Sequence, residues 1–338
     1  MAHRPQRQGH WGVRGAGVVH RVELGRHRPS NRVRLSDTES SSPSGAVPRL
    51  VVVAGKGGVG RTTVAAGMAI ATATGDNRVL AIDASAGSGL AAALGVPDAE
   101  PGEITPVPGQ PGLSVLPLTT EAAIDEYVRM TLRTPIAPRL LAPVARIFDY
   151  VAVAAPAVRE ILTIGKIGHE VRRQGWDRVI VDGPATGHVV ELLASPDNLA
   201  AIVGSSGPLA DETTWLRALL SDPAQAGAVV VSLPEELPVN ESVELIERLR
   251  SDTPVAVSAV IVNRMPPAVS DDGRAEAEAL AATESPLGAV AAIAVTRRDR
   301  AEADIEALDA LDLPRLVIPD DPDNPVGVVV EALTGADR

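Results

Sequence analysis

No cysteine occurs among the 338 residues. That excludes disulfides, thiolate zinc sites, iron–sulfur clusters and thiol catalysis. Aromatic residues are scarce, with one Phe, two Tyr and three Trp, so the core has to be aliphatic. Lysine is scarce too: of the 31 basic residues only Lys56 and Lys166 are not arginine. In such a chain, a lysine inside a functional motif points to chemistry rather than to background usage. No apolar run approaches the ~20 residues of a membrane-spanning helix, and the N-terminus lacks the apolar stretch of a signal peptide. A cytoplasmic protein without a membrane segment is therefore expected. Positive charge is short outside the start of the chain. Residues 1–35 hold eight Arg and one Glu, about +7, so the net charge of −12 leaves about −19 on the rest. An acidic body argues against a nucleic-acid partner.

What is present is organised along the chain. Residues 1–46 are rich in Arg, His, Gly and Ser without periodicity and end in SSSPSG, the composition of a disordered tail. A basic arm touching RNA or anionic lipid is the alternative. From residue 47 to 338 short apolar runs alternate with helical stretches. RLVVVAG, RVLAID, LSVLPL, RVIVDG, AGAVVVSL, VSAVIVN, GAVAAIAV and RLVIP read as strands. RTTVAAGMAIATATG, VNESVELIERLRS and DRAEADIEALDAL read as helices. Alternation of this kind predicts an α/β fold: a doubly wound, mostly parallel sheet of about eight strands. Residues 121–175 and 188–225 break the alternation and read as helical insertions within one domain.

The segment AGKGGVGRTT, Ala54 to Thr63, follows a strand and opens a helix. Gly55, four residues, Gly60, a basic residue and Thr62 have the spacing of a phosphate-binding P-loop, except that Arg61 stands where lysine is usual. Gly55, Gly57, Gly58 and Gly60, with Val59 between the last two, let backbone N–H groups close around phosphate oxygens. The helix N-terminus adds partial positive charge. Thr62 is placed to hold Mg²⁺ through its hydroxyl, with Thr63 beside it. A nucleotide site requiring Mg²⁺ is predicted. Tight strand–helix turns also use glycine, but the whole run in this context favours the nucleotide.

KGGVGRTT resembles the deviant Walker A motif of the dimerising ATPases that include the arsenical-pump and tail-anchored-protein-targeting ATPases, nitrogenase iron protein, and the septum-site and partitioning ATPases. In that group the lysine matching Lys56 reaches the partner's nucleotide across a dimer interface. VIVDGPATGHVVELL, Val179 to Leu193, resembles the switch II segment of the arsenical-pump and tail-anchored-targeting (ArsA-like) branch. The resemblance implies that Asp182 serves the Mg²⁺ shell and that Gly183, Pro184, Thr186, Gly187 and His188 respond to the γ-phosphate. The VVVSLPEEL segment and VIPDDPDNP are also similar to segments of that branch. Asn263, in VIVNRM, matches the residue relatives use to read adenine, so ATP rather than GTP is expected. A P-loop NTPase fold follows from the same resemblance.

Three departures bear on function. The ArsA-like branch carries Asp-Pro-Ala-His after the second strand, whereas this chain has AIDASAGSGL. It keeps Asp83, which can orient the attacking water or can simply form a turn. The lack of cysteine removes any thiolate trap for arsenite and the zinc clasp of the eukaryotic targeting ATPases. No Met lies between Met130 and Met265, so a Met-rich groove for hydrophobic cargo is not indicated. The expected function is an ATP-hydrolysing dimeric switch, as a homodimer or as a heterodimer with a related ATPase, acting on a protein partner or cargo. Lys56, Asp83 and Arg61 are its candidate catalytic residues. A catalytically weak regulatory subunit of a heteromeric ATPase is the alternative, favoured by Arg61 and the altered first switch. A partitioning or septum-site ATPase fits less well, because PVGVVVEALTGADR is not a basic amphipathic helix. A metabolic ligase has no support beyond the shared phosphate loop.

Overall fold

The computed structural model describes residues 47–85, 89–119, 121–123, 156–173, 175–201, 206–268, 270–283 and 285–335. The expected tail at 1–46 and most of the first helical insertion lie outside the described residues.

β1 (Leu50–Gly55) runs through the Gly-rich loop into α1 (Arg61–Thr72). β2 (Val79–Asp83), α2 (Gly89–Ala93), β3 (Thr105–Pro106) and β4 (Leu113–Pro117) follow. α3 (Pro156–Arg172) leads to β5 (Arg178–Asp182), then α4 (Thr186–Ala200) and α5 (Pro208–Ser221). β6 (Ala226–Ser232), α6 (Glu236–Asp252), β7 (Val257–Met265), α7 (Asp271–Ala281) and α8 (Pro286–Ile305) come next. A 3₁₀ segment (Glu306–Leu311), β8 (Arg315–Pro319) and α9 (Pro325–Thr334) complete the described chain.

The strands form one eight-stranded sheet in the order β3-β4-β2-β5-β1-β6-β7-β8, parallel throughout except for the antiparallel β3–β4 pair. β1 lies inside the sheet, and all six of its residues are buried. That is why its sequence is a continuous apolar run instead of an alternating one. Its side chains still divide between two faces. Leu50, Val52 and Ala54 join Ile164, Val189, Leu220 and Leu245 from α3 to α6 in one core. Val51 and Val53 join Val64, Leu90 and Val329 from α1, α2 and α9 in the other. Helices on both faces define the doubly wound architecture.

The expected strand count is right, with one exchange. GAVAAIAV is not a strand but the first half of α8. Ser285 caps that helix by accepting from the Gly288 N–H at 3.0 Å, and Pro286 occupies its first turn. Four alanines favour helix, and Pro fixes the helical φ where no N–H is needed. The eighth strand is instead β3, two residues long, which is too short to leave a periodic pattern.

Candidate nucleotide site

The sheet order brings the C-terminal ends of β1, β5 and β2 together. Val53 is in register with Asp182, and Asp182 with Asp83. Two fully buried carboxylates thus stand side by side next to the Gly-rich loop. Lys56, Gly57 and Gly58 form the exposed lip of that loop, and Val59 turns back into the core. Loop geometry depends on glycine at two positions in particular. At Gly60, φ is 91° and an added Cβ would lie 2.3 Å from Asn263 Nδ2; at Gly55 it would lie 2.6 Å from the Val231 carbonyl oxygen. A side chain at Gly55 would have to displace the β6 backbone, and one at Gly60, in a left-handed conformation that favours glycine, would displace the Asn263 amide.

Thr62, at the start of α1, donates its hydroxyl to Asp182 Oδ2 at 2.6 Å. Asp182 Oδ1 is buried and unpartnered, and burial pushes the carboxyl up to about 6, helped by nearby Asp83 and opposed by the Thr62 hydrogen bond and by Arg61. A carboxylate left in that state calls for a cation. A hydroxyl and a carboxylate oxygen are hard donors suited to Mg²⁺, so these residues fit the metal.

The native carboxyl keeps its proton between about pH 4 and 6, where the unfolded chain has released it. Stability of the nucleotide-free protein therefore falls as pH rises through that window, and above it the buried charge costs about 3 kcal/mol, from a shift of roughly two units. Asp182→Asn is accordingly expected to raise the melting temperature of the nucleotide-free protein by several degrees at pH 8 and by little at pH 4. Thermal melts of both proteins across pH check this; identical pH dependence would show that the carboxyl is not strained.

Arg61 does not extend freely into the loop. One of its guanidinium nitrogens donates to the carbonyls of Gly183 and, at 2.6 Å, Pro184, tying the phosphate loop to the turn after β5. Burial lowers its basicity, while Asp182 and Asp83 act in the opposite sense. Lys56 pairs with Glu241 of α6 at 2.9 Å and is half exposed. Asp83 is fully engaged locally. Its Oδ1 accepts from the Ser85 N–H and hydroxyl at 3.0 and 2.6 Å, and its Oδ2 from the Leu90 N–H at 3.0 Å. The described geometry of Asp83 is thus the turn-forming one. Thr186, Gly187 and His188 open α4, whose N-terminus has no side-chain cap; the His188 N–H donates to the Ala185 carbonyl at 2.9 Å, which leaves those of Thr186 and Gly187 for other acceptors.

Beside the loop lies a cavity of about 690 Å³ lined by Thr63, Asn263 and Pro319, with charges of both signs from Arg264, Arg297 and Arg300 and from Glu235, Asp304, Asp320 and Asp321. Asn263 is buried and donates one N–H to the Val59 carbonyl at 3.0 Å. Its other N–H and its carbonyl make no hydrogen bond among the described residues. The residue after it, Arg264, has φ 56° at a break in the β7–β8 register, a strained conformation of the kind found at ligand sites. Sequence reasoning missed Glu241 and the three arginines. Only the fold brings them to the loop, and arginine is too common here to stand out.

A sheet of this order with a Gly-rich loop after its central strand, a Thr–Asp pair and an adjoining cavity defines a P-loop nucleotide-binding protein. A family profile described as anion-transporting ATPase matches residues 48–207. ATPase BagA of Mycobacterium tuberculosis (strain ATCC 25618 / H37Rv) is 29% identical over 299 residues, covering 80% of this chain and 87% of its own length. ATPase get3 of Schizosaccharomyces japonicus is 27% identical over 173 residues, 49% of this chain and 52% of its own. ATPase GET3B of Arabidopsis thaliana is 24% identical over 306 residues, 74% of each chain. Residues 48–207 are thus similar to the ArsA-like family of ATPases. Among the described residues no helix is long and apolar enough to cross a membrane.

Proposed function

We propose that this chain binds ATP with Mg²⁺, hydrolyses it, and uses the nucleotide state to open and close a dimer, with a second copy or with a related ATPase, that engages a protein partner. The observation that carries the reading is the Thr62–Asp182 pair with its unpartnered oxygen at the mouth of the glycine loop. Gly57 and Gly58 add support. An added Cβ at either would meet nothing within 4 Å. At Gly58 the backbone, with φ 86°, already calls for glycine. At Gly57 it does not, so the close approach of a phosphate is the demand that remains. In this reading loop amides and Arg61 hold the phosphates, Thr62 and Asp182 hold the metal, and Asn263 and the cavity take the adenosine. Mg²⁺ supplies neutralisation of phosphate charge. Asp83 orients water once its contact with Ser85 is released, and the segment Asp182 to His188 responds to the γ-phosphate.

ATP–Mg²⁺ is expected to stabilise the fold by about 2.7 kcal/mol at 100 times its dissociation constant, with a smaller effect from GTP. Thermal shift in millimolar nucleotide measures it; no response to ATP–Mg²⁺ or to ADP would overturn the site.

A second reading, a regulatory subunit that binds ATP but turns it over slowly, is favoured by one contact. Arg61 is held by the Gly183 and Pro184 carbonyls, which would have to release it before it could serve a transferring phosphoryl group.

A further inference from the structure

Outside the nucleotide site, one cluster has the composition of a metal centre and includes a carboxylate with an unsatisfied buried oxygen. Glu160 lies at the start of the second turn of α3, and His188 and Glu191 lie one turn apart on α4. One donor atom from each falls within 4.8 Å of the others. Glu160 is only 7% exposed, and its Oε2 is buried without a hydrogen-bond partner. His188 Nδ1 lies 3.2 Å from Glu191 Oε2 and 3.7 Å from Glu160 Oε1.

An ion pair alone does not account for this arrangement. A single Nδ1–H can serve only one of the two carboxylates beside it, and neither choice reaches Glu160 Oε2. A buried carboxylate oxygen left in that state is costly. The two carboxylates beside one imidazole leave negative charge that a divalent cation would offset. The spacing suits one. Donors ~2.0–2.1 Å from a tetrahedral ion are ~3.3–3.4 Å apart, and the separations of His188 from Glu191 and Glu160, 3.2 and 3.7 Å, lie on either side of that value. The positive end of the α4 dipole opposes a cation there, but it amounts to roughly half a charge against two full carboxylate charges. One nitrogen and two carboxylate oxygens in a compact set favour a first-row divalent ion such as Zn²⁺ over Mg²⁺, which demands more oxygen ligands.

We propose that Glu160, His188 and Glu191 bind a divalent transition-metal ion, zinc being the best fit, which pins the first turns of α4 to α3. His188 belongs to the turn-and-helix segment after Asp182, so an ion here would restrain the part of the chain that our functional reading assigns to γ-phosphate response. Binding itself does not rest on that reading. The ligand set is also separate from Thr62 and Asp182.

Chelator-treated, nucleotide-free full-length protein should be titrated calorimetrically with Zn²⁺, and with Co²⁺ while visible spectra are recorded. One ion per chain is expected, with the intense visible bands of a four-coordinate Co²⁺ ion. Affinity should fall at least tenfold in Glu160→Gln and in His188→Ala, and remain unchanged in Asp182→Asn. Glu160→Gln preserves shape and is the decisive variant. Zn²⁺ should also slow hydrogen exchange of the amides at 186–191 in the wild type and not in Glu160→Gln. The proposal is overturned if no ion binds at millimolar Zn²⁺, if Glu160→Gln binds as well as the wild type, or if Asp182→Asn removes the ion. The last result would place it in the nucleotide site.

Discussion

Lys56→Ala is expected to leave ATP affinity within a few-fold of wild type while abolishing ATP-stabilised association and lowering turnover by ~10³-fold, the scale on which a cation supplied across an interface acts in phosphoryl transfer. Lys56 lies at the outer edge of the loop with about half its side chain exposed, and its partner is Glu241 of the same chain. In a monomer it therefore makes one surface ion pair, worth about 0–1 kcal/mol, which is a poor reason to retain one of only two lysines. A pair that weak is also easily broken, so Glu241 can hold the ammonium until a partner's phosphates compete for it. Sedimentation with a non-hydrolysable ATP analogue reads association, and single-turnover hydrolysis reads the chemistry. If Lys56→Ala associates and turns over like wild type, Lys56 is a surface residue whose only role is its contact with Glu241.

The glycine loop, Asp182 and the parallel core were legible in the sequence because each is local: a fixed spacing, or a continuous apolar run buried on both faces. What the sequence hid was set by distance along the chain or by competing local preferences. GAVAAIAV has the apolar content of a buried strand, and only the Ser285–Pro286 start and the polar turns that follow it show that it belongs to α8. β3 is two residues held by β4, so tertiary pairing alone makes it a strand. Asn263 was legible, through its match to relatives, as a candidate contact for a base. Its hydrogen bond to Val59, 204 residues away, was not, and that bond makes it part of the loop's scaffold as well. For Asp83 both roles were open from sequence, and the Ser85 and Leu90 contacts show why: one carboxylate at a strand end can shape the next turn and still face the site. The pairing of Lys56 with Glu241 and the grip of Arg61 on the Gly183–Pro184 turn bridge 185 and about 120 residues. No spacing rule reaches that far.

Arg61→Lys is expected to raise the rate of ATP hydrolysis by about 100-fold with little change in ATP affinity. A guanidinium is planar and broad and can neutralise phosphate oxygens in a forked manner, so binding survives the arginine. A lysine ammonium is a compact charge on a flexible stem that fits between two phosphates, and misplacing the transferring group by ~1 Å can cost about 100-fold. The structure adds a second cost to the wild type. The Arg61 guanidinium donates to both Gly183 and Pro184 carbonyls, so it restrains the turn proposed above to respond to the γ-phosphate. Lysine has a shorter side chain and loosens that grip. The variant should therefore show faster exchange of the amides at 183–187 without nucleotide, alongside its higher turnover. Single-turnover hydrolysis and hydrogen exchange on wild type, Arg61→Lys and Arg61→Ala separate the two contributions. Arg61→Ala releases the turn but supplies no charge, so it should gain mobility and lose both affinity and rate. A wild type that hydrolyses ATP rapidly, with Arg61→Lys slower, would mean that the loop has adapted to arginine and that the chain is a full catalyst in its own right.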